Sequence, residues 1–317
     1  MEAFIMKKTF YLLLSLLVLV SLLAACKGAE IQNETGSTEM ITQPTISPDA
    51  PLSDGKTLKM LAIGNSFSDN TVQYLYDVAK AEGMTDIVIG RLYIPGCSLA
   101  MHVENAETNA FAYSYYKNDS GMWKETEAAS MLYALQDEQW DIITMQQSSG
   151  SSGIAETYYA SIEQLVKYVN ENKTNPNARL VWHMTWAYQQ GSTKEAFSNY
   201  NNDQMTMYNA ITEAVQQVIV PMSDFHSVIP VGTAIQNVRT SFIGDELTRD
   251  TYHLNDLGKV IGSYTWYATF TGKPLNEIHI SGVGSITLTD EQKAVIVEAV
   301  NNALENPYTV TQSQFVD

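Results

Sequence analysis

Two short segments of this 317-residue chain carry residue types that can transfer an acyl group. The first is Ile63-Gly64-Asn65-Ser66-Phe67-Ser68. An apolar run feeds a glycine and a small polar turn, and helical residues follow. A serine at a helix N-terminus exposes its hydroxyl, and its backbone N–H points to where an oxyanion would form. The same residues also serve as ordinary helix caps, a role in which Asn and Ser are common. The second segment is Asp250-Thr251-Tyr252-His253-Leu254-Asn255. An Asp and a His three apart, just before a helix, can lie on one side of a turn. The carboxylate then accepts from one imidazole nitrogen and leaves the other free to take a proton from a serine. Histidine suits this because it exchanges protons near neutral pH. Taken alone, this spacing also fits a helix-capping loop with a surface histidine.

Together the two segments resemble the SGNH hydrolase superfamily, also called the GDSL esterases, over roughly residues 57–272. The resemblance implies Ser66 as nucleophile, His253 as base and Asp250 as the acid that orients it. It also implies an oxyanion hole built from the backbone of Ser66 and of a glycine after the second strand. Tyr93-Ile94-Pro95-Gly96-Cys97 supplies Gly96, in a segment that otherwise reads as a Pro-Gly turn. The superfamily's Asn after the third strand is missing, and the chain instead runs Met145-Gln146-Gln147-Ser148. In some carbohydrate-esterase branches a glutamine takes this part, and a side-chain amide is a sound oxyanion donor. Gln146 is preferred to Gln147, with two polar residues of a surface loop as the plainer reading. The first block has Gly-Asn-Ser where Gly-Asp-Ser is usual. These departures resemble a branch described as a domain of unknown function, with Ile-Gly-Asn-Ser-Phe-Ser at its start.

Four further residues are candidates for binding substrate: Asn65, Tyr93, His102 and Trp186. Tyr93, Trp186 and Tyr188 offer aromatic faces to a sugar. His102 lies six residues past Gly96, though a satisfied surface histidine is the preferred reading there. His183, beside Trp182, reads as a core or pocket-wall residue, and Cys97 as a small buried one. No Cys or His spacing suits a metal, so neither a metal nor a cofactor is expected.

These residues need a scaffold, and the hydrophobic pattern predicts one. Strands are expected at Leu58–Ile63, from Ile87 to Ile89 onward, at Asp141–Met145 and at Leu180–His183. Helices are expected near 71–82, before 141, and through Ile162, Leu165, Val166 and Val169. Others pass through Ile211, Ala214, Val215 and Val218, and through Leu257, Ile261, Tyr264 and Ala268 behind an Asn255 cap. A last helix follows the capping-box spacing of Thr289 and Gln292. This alternation predicts an α/β fold with a parallel sheet covered on both faces. With the resemblance, that becomes a three-layer α/β/α sandwich of flavodoxin-like type around a mainly parallel sheet. Sites in such folds sit at the carboxyl ends of strands.

The N-terminus reads as an export signal over residues 1–25. Lys7 and Lys8 precede an apolar run from Phe10 to Ala25, which ends in Leu23-Ala24-Ala25-Cys26. The run is shorter than a bilayer span needs and closes on small residues suited to a peptidase. It resembles the lipobox of bacterial lipoproteins, which implies lipidation of Cys26 and a membrane partner through that anchor. A plain secretory signal and an uncleaved anchor are the rival readings. Residues 26–56, rich in Ser, Thr, Pro and Gly, read as a flexible tether, and residues 57–317 as the hydrolase-like domain. A formal net charge of −17 excludes attraction to nucleic acid by the overall field. The expected function is a surface-tethered serine esterase that removes acetyl or other short acyl groups from carbohydrate. The rivals are a lipase or lysophospholipase of the same fold, and a non-catalytic lipoprotein that binds glycans or solutes. The number of copies in the assembly is left open.

Overall fold

The computed structural model describes residues 51–316. The export signal, Cys26 and the tether up to residue 50 lie outside the described residues. Residues 51–56, assigned above to the tether, are instead held on the domain. Leu52 is buried, Ser53 N donates to Phe270 O at 2.8 Å, and Arg179 Nη2 donates to Pro51 O at 2.8 Å.

A seven-stranded sheet in the order β4-β3-β2-β1-β5-β6-β7 forms the middle layer. Its strands are β1 (Thr57–Gly64), β2 (Asp86–Tyr93), β3 (Tyr113–Asn118), β4 (Trp123–Ala129), β5 (Ile142–Met145), β6 (Arg179–His183) and β7 (Phe225–Ile229). β1 and β5 are buried almost throughout, as continuous apolar runs covered on two faces must be. All pairings from β2 through β1 and β5 to β7 are parallel. The mainly parallel sheet expected is found, and its antiparallel part is one edge, where β2–β3 and β3–β4 run antiparallel. The outermost strand, β4, shows Lys124, Glu125 and Glu127 to solvent, and such charges discourage pairing with another edge.

The helix expected near 71–82 is two helices, α1 (Ser66–Val72) and α2 (Leu75–Ala81), and the first begins at the serine. The others are α3 (Leu99–Glu107), α4 (Met131–Gln136), α5 (Glu156–Asn172), α6 (Gln204–Ala214), α7 (Val231–Val238), α8 (Asp256–Thr271) and α9 (Asp290–Glu305). Helices α1, α2, α7, α8 and α9 pack together, and α3 and α4 pack against α5. From β1 the chain crosses to β2 on one side, whereas from β5 it crosses to β6 on the other. Right-handed crossovers in opposite directions place their helices on opposite faces. The strand order therefore reverses between β1 and β5, and the carboxyl ends of these strands are where sheets of this class bind ligands. Gly64-Asn65-Ser66 and Gln146-Gln147 leave the sheet at those ends. Among the described residues no helix is long and apolar enough to cross a membrane.

Candidate active site

Ser66 is the first residue of α1, and the turn that delivers it is fixed from below. Asn65 caps the helix, its Oδ1 accepting from Phe67 N at 2.9 Å. Gly64 has no room for a side chain: a Cβ there would lie 2.5 Å from Ser68 Oγ and 3.1 Å from Gln146 Cδ. Gln146 Nε2 donates to Asn65 Oδ1 at 2.8 Å, and His183 Nδ1 donates to Gln146 Oε1 at 3.0 Å. Asn65 Nδ2 in turn donates to Cys97 O at 2.9 Å, which ties the Gly96 turn to the serine turn. All three side chains are buried. Gly96 is exposed at φ 64°, a conformation that favours glycine. Among the described residues the backbone turns around it give its N–H, like that of Ser66, no partner.

Asp250 and His253 sit on a tight loop closed by a bridge between Thr248 and Leu254. Asp250 Oδ1 accepts from His253 N at 2.8 Å, and Oδ2 lies 2.7 Å from His253 Nδ1. His253 Nε2 lies 2.9 Å from Ser66 Oγ. With Nδ1–H donating to the carboxylate, Nε2 accepts from the serine hydroxyl, the tautomer a general base requires. Thr251, between the two, has φ 72°, a strained conformation for a β-branched residue. Contacts from other segments hold the loop in place. Leu254 N donates to Asn70 Oδ1 at 2.8 Å, Trp186 Nε1 to Tyr252 O at 2.8 Å, and Gln189 N to Thr251 O at 2.9 Å. The Tyr252 ring lies 4.0 Å from that of His253, centroid to centroid.

Burial lowers the pKa of His253 and outweighs Asp250, which raises it, so the imidazole is neutral and basic at neutral pH. Burial raises the pKa of Asp250, but hydrogen bonds from the His253 ring and backbone hold it below its ordinary value. The carboxylate is therefore ionised where the histidine needs it.

The structure thus brings together Ser66, Asp250 and His253, with Gly96 tied to the same turn, and corrects several other expectations. Neither glutamine has an amide to offer an oxyanion. Gln146 Nε2 is committed to Asn65 and lies 3.4 Å from Gln147 O. Gln147 Nε2 donates to Thr157 O and Oγ1 at 3.1 Å, while its Oε1 accepts from Leu99 N and Ser148 N. Both brace the turns around the serine instead. Asn65 is buried and does the same. His102 does not line the mouth and is not a surface residue: it is 1% exposed, with Nδ1 3.0 Å from Tyr113 Oη. Trp186 and Tyr188 are buried too, and Trp186 stacks on Phe67 at 4.1 Å behind the serine rather than facing a sugar. Tyr93 ends β2 beside Gly64, half-buried at the rim. Cys97 is buried, and burial pushes its thiol up to about 12. Asn70, Phe67 and Tyr252 were not anticipated. A polar residue one turn after the serine, on a helix that must bury a face, was the available signal for Asn70. Among the described residues no group of three or more His, Cys, Asp or Glu could hold a metal.

Comparison with known proteins places this geometry in context. A family described as a domain of unknown function, DUF4886, matches residues 59–282. The crystal structure of a DUF4886 family protein from Bacteroides uniformis is 39% identical, covering 83% of this chain and 100% of that one with a TM-score of 0.77. A catalytic mutant of an acetylxylan esterase from Geobacillus stearothermophilus is 12% identical, covering 68% of this chain and 95% of that one with a TM-score of 0.44. No curated protein matches the chain in sequence.

Proposed function

The chain belongs to the DUF4886 family, and we propose that it is a serine ester hydrolase of SGNH type whose work is done by Ser66, His253 and Asp250. One observation carries the reading: a serine hydroxyl, an imidazole and a carboxylate lie in line at 2.9 Å and 2.7 Å. They come from segments 187 residues apart, at the strand ends where this class of sheet binds ligands. Ser66 Oγ attacks the ester carbonyl carbon as His253 Nε2 takes its proton. The backbone N–H groups of Ser66 and Gly96 stabilise the tetrahedral oxyanion. His253 then returns the proton to the leaving alcohol, and a water activated by the same imidazole releases the acid. Asp250 holds the imidazole in the tautomer with a basic Nε2 and stabilises the imidazolium.

Short acyl groups on carbohydrate are the proposed substrates. The buried Phe67–Trp186 stack packs beside the catalytic residues, with the Phe67 ring 6.1 Å from that of His253, and bulk there favours an acetyl over a long chain. The proposed export and lipidation at Cys26, which rest on the sequence, favour a substrate outside the cytoplasm. Ser66→Ala should abolish turnover of a small aryl acetate while leaving the folded state intact, and a fluorophosphonate should label Ser66. Wild-type turnover by Ser66→Ala would sink the mechanism. Faster cleavage of long-chain than of acetyl esters would replace the substrate class with a lipid. For the anchor, Cys26→Ser should lose acyl incorporation and leave the membrane fraction.

A further inference from the structure

The residues around His253 include two cations that the acyl-transfer mechanism does not use. Lys194 Nζ stands 4.1 Å from the centroid of the Tyr252 ring, and that ring lies 4.0 Å from the imidazole. The ammonium is thus one ring away from the base. Its segment is stitched to the catalytic loop, with Gln189 N donating to Thr251 O at 2.9 Å and Ser192 Oγ 2.9 Å from Thr251 Oγ1. Arg249 lies on the loop itself, its N donating to His253 O at 2.9 Å and its Nη1 to Leu254 O at 2.7 Å. Both residues are exposed. Among the described residues neither forms an ion pair with a carboxylate, whereas Lys59, Arg91, Lys117, Lys124, Lys167, Arg239 and Lys259 each do. Asp250, the chain neighbour of Arg249, is turned onto His253 Nδ1. The charges of both cations reach the imidazole, where they disfavour its protonation. In a chain of net charge −17, two cations whose charges reach the catalytic imidazole and that, among the described residues, pair with no carboxylate stand out.

We infer that the substrate carries a negative charge beside its ester, and that Lys194 with Arg249 reads a carboxylate on the sugar, making the preferred substrate an acylated acidic glycan. The inference rests on the reading of Ser66 as nucleophile. A single carboxylate, rather than a dense polyanion, suits two point cations on an otherwise acidic surface. Tyr252 holds the ammonium in place, so less freedom is lost on binding.

The test compares an acetylated oligo-uronide with the same oligosaccharide after its carboxylates are reduced to alcohols, both with the full chain. The two differ in charge but not in the ester. The uronide should be favoured in kcat/KM by about tenfold at low salt, and the preference should shrink as salt screens it. Lys194→Gln should lose most of that preference, mainly through the KM of the uronide, and Lys194→Arg should keep it. Equal kcat/KM for the two substrates in the wild type, or an unchanged ratio in Lys194→Gln, overturns the inference. Labelling of Ser66 by a fluorophosphonate separates the two levels. If Ser66 labels and the preference is absent, the acidic substrate is wrong and the esterase stands. If Ser66 does not label and neither ester is cleaved, the esterase reading falls and takes this inference with it.

Discussion

Ser66 and His253 meet at 2.9 Å, yet the backbone carrying each is fixed by different means. The serine turn rests on side chains sealed inside the protein: Asn65, Gln146 and His183 are each 1% exposed and bond to one another in series. The His253 loop lies at the surface, with 40% of the Asp250 side chain exposed, and is held by its own backbone and by bonds from neighbouring segments. Buried polar groups are costly to strand, so a change under the serine should register first as lost stability. A change in the loop should register first as lost rate.

The sharpest test of that contrast is Asp250→Asn. The amide cannot hold the imidazole in its working tautomer, and kcat should fall by about 10³–10⁴-fold. Thermal denaturation should barely move. In the wild type the acid limb of kcat/KM should lie below the ordinary histidine value of 6.5, because burial lowers the pKa of His253. Asp250 raises that pKa, so any residual activity of Asp250→Asn should show the limb at still lower pH. If Asp250→Asn unfolds as readily as the variants below, the loop bears structural load and the contrast fails.

Next in size is Gln146→Leu. It leaves His183 Nδ1 buried without its acceptor and removes one of the two bonds to Asn65 Oδ1. Stranding one such group costs roughly 1–3 kcal/mol, measurable by urea denaturation. Activity should fall as well, because Asn65 also holds the Cys97 carbonyl next to Gly96. Full stability with lost activity would instead return Gln146 to the oxyanion role that its present bonds exclude.

These differences also mark how far the sequence could be read. The parallel strands β1, β2, β5 and β6 were legible because strands covered on both faces must be apolar. The edge pair was not. β3 alternates tyrosines with small and polar residues, and β4 reads Trp-Lys-Glu-Thr-Glu-Ala-Ala, a composition suited equally to a solvated helix. β7 contributes only one fully buried residue, Ile229. Asp250 and His253 were legible because their partnership is local, set by a three-residue spacing. Gln146 was misassigned because an amide's partners are not local: a Gln after β5 has the right chemistry for an oxyanion, and only the fold shows Asn65 and His183 in its way. His102 and Trp186 misled for a related reason, since proximity in sequence to Gly96 or to a strand end says nothing of which face of α3 or of the sheet a side chain takes.

Buried histidines supply a third, graded test. Burial lowers the pKa of both His183 and His102 to about 3. Unfolded, each binds a proton near pH 6.5, so between about 6.5 and 3 the unfolded chain holds protons that the folded one does not. Their stabilising contribution is full above that window and declines as pH falls through it. At pH 5 the loss is roughly 2 kcal/mol for each histidine relative to neutral pH. His102→Asn should flatten the stability profile without moving the acid limb of activity, because His102 lies on the buried face of α3, bonded to Tyr113 rather than to the His253 loop. A limb that shifted with His102→Asn would couple the two regions and break the comparison.

Thr251 carries the smallest expected effect on rate among the loop variants, and the contrast is finest there. At φ 72° its β-branched side chain is strained by about 1–3 kcal/mol, which glycine would relieve. Glycine would also lose the contact between Thr251 Oγ1 and Ser192 Oγ and increase the freedom of the unfolded chain. These terms oppose one another, so Thr251→Gly should change stability by no more than about 1 kcal/mol. The rate should respond more. Thr251 stands between the carboxylate and the imidazole, and a glycine there widens the set of geometries in which Asp250 and His253 fail to face each other. A fall in kcat of about tenfold, equivalent to about 1.4 kcal/mol of barrier, is expected at nearly unchanged stability. Thr251→Asn, which tolerates positive φ better while keeping a side chain, should recover part of it. A Thr251→Gly protein that is more stable and equally fast would mean that the strained residue serves neither the loop nor the site.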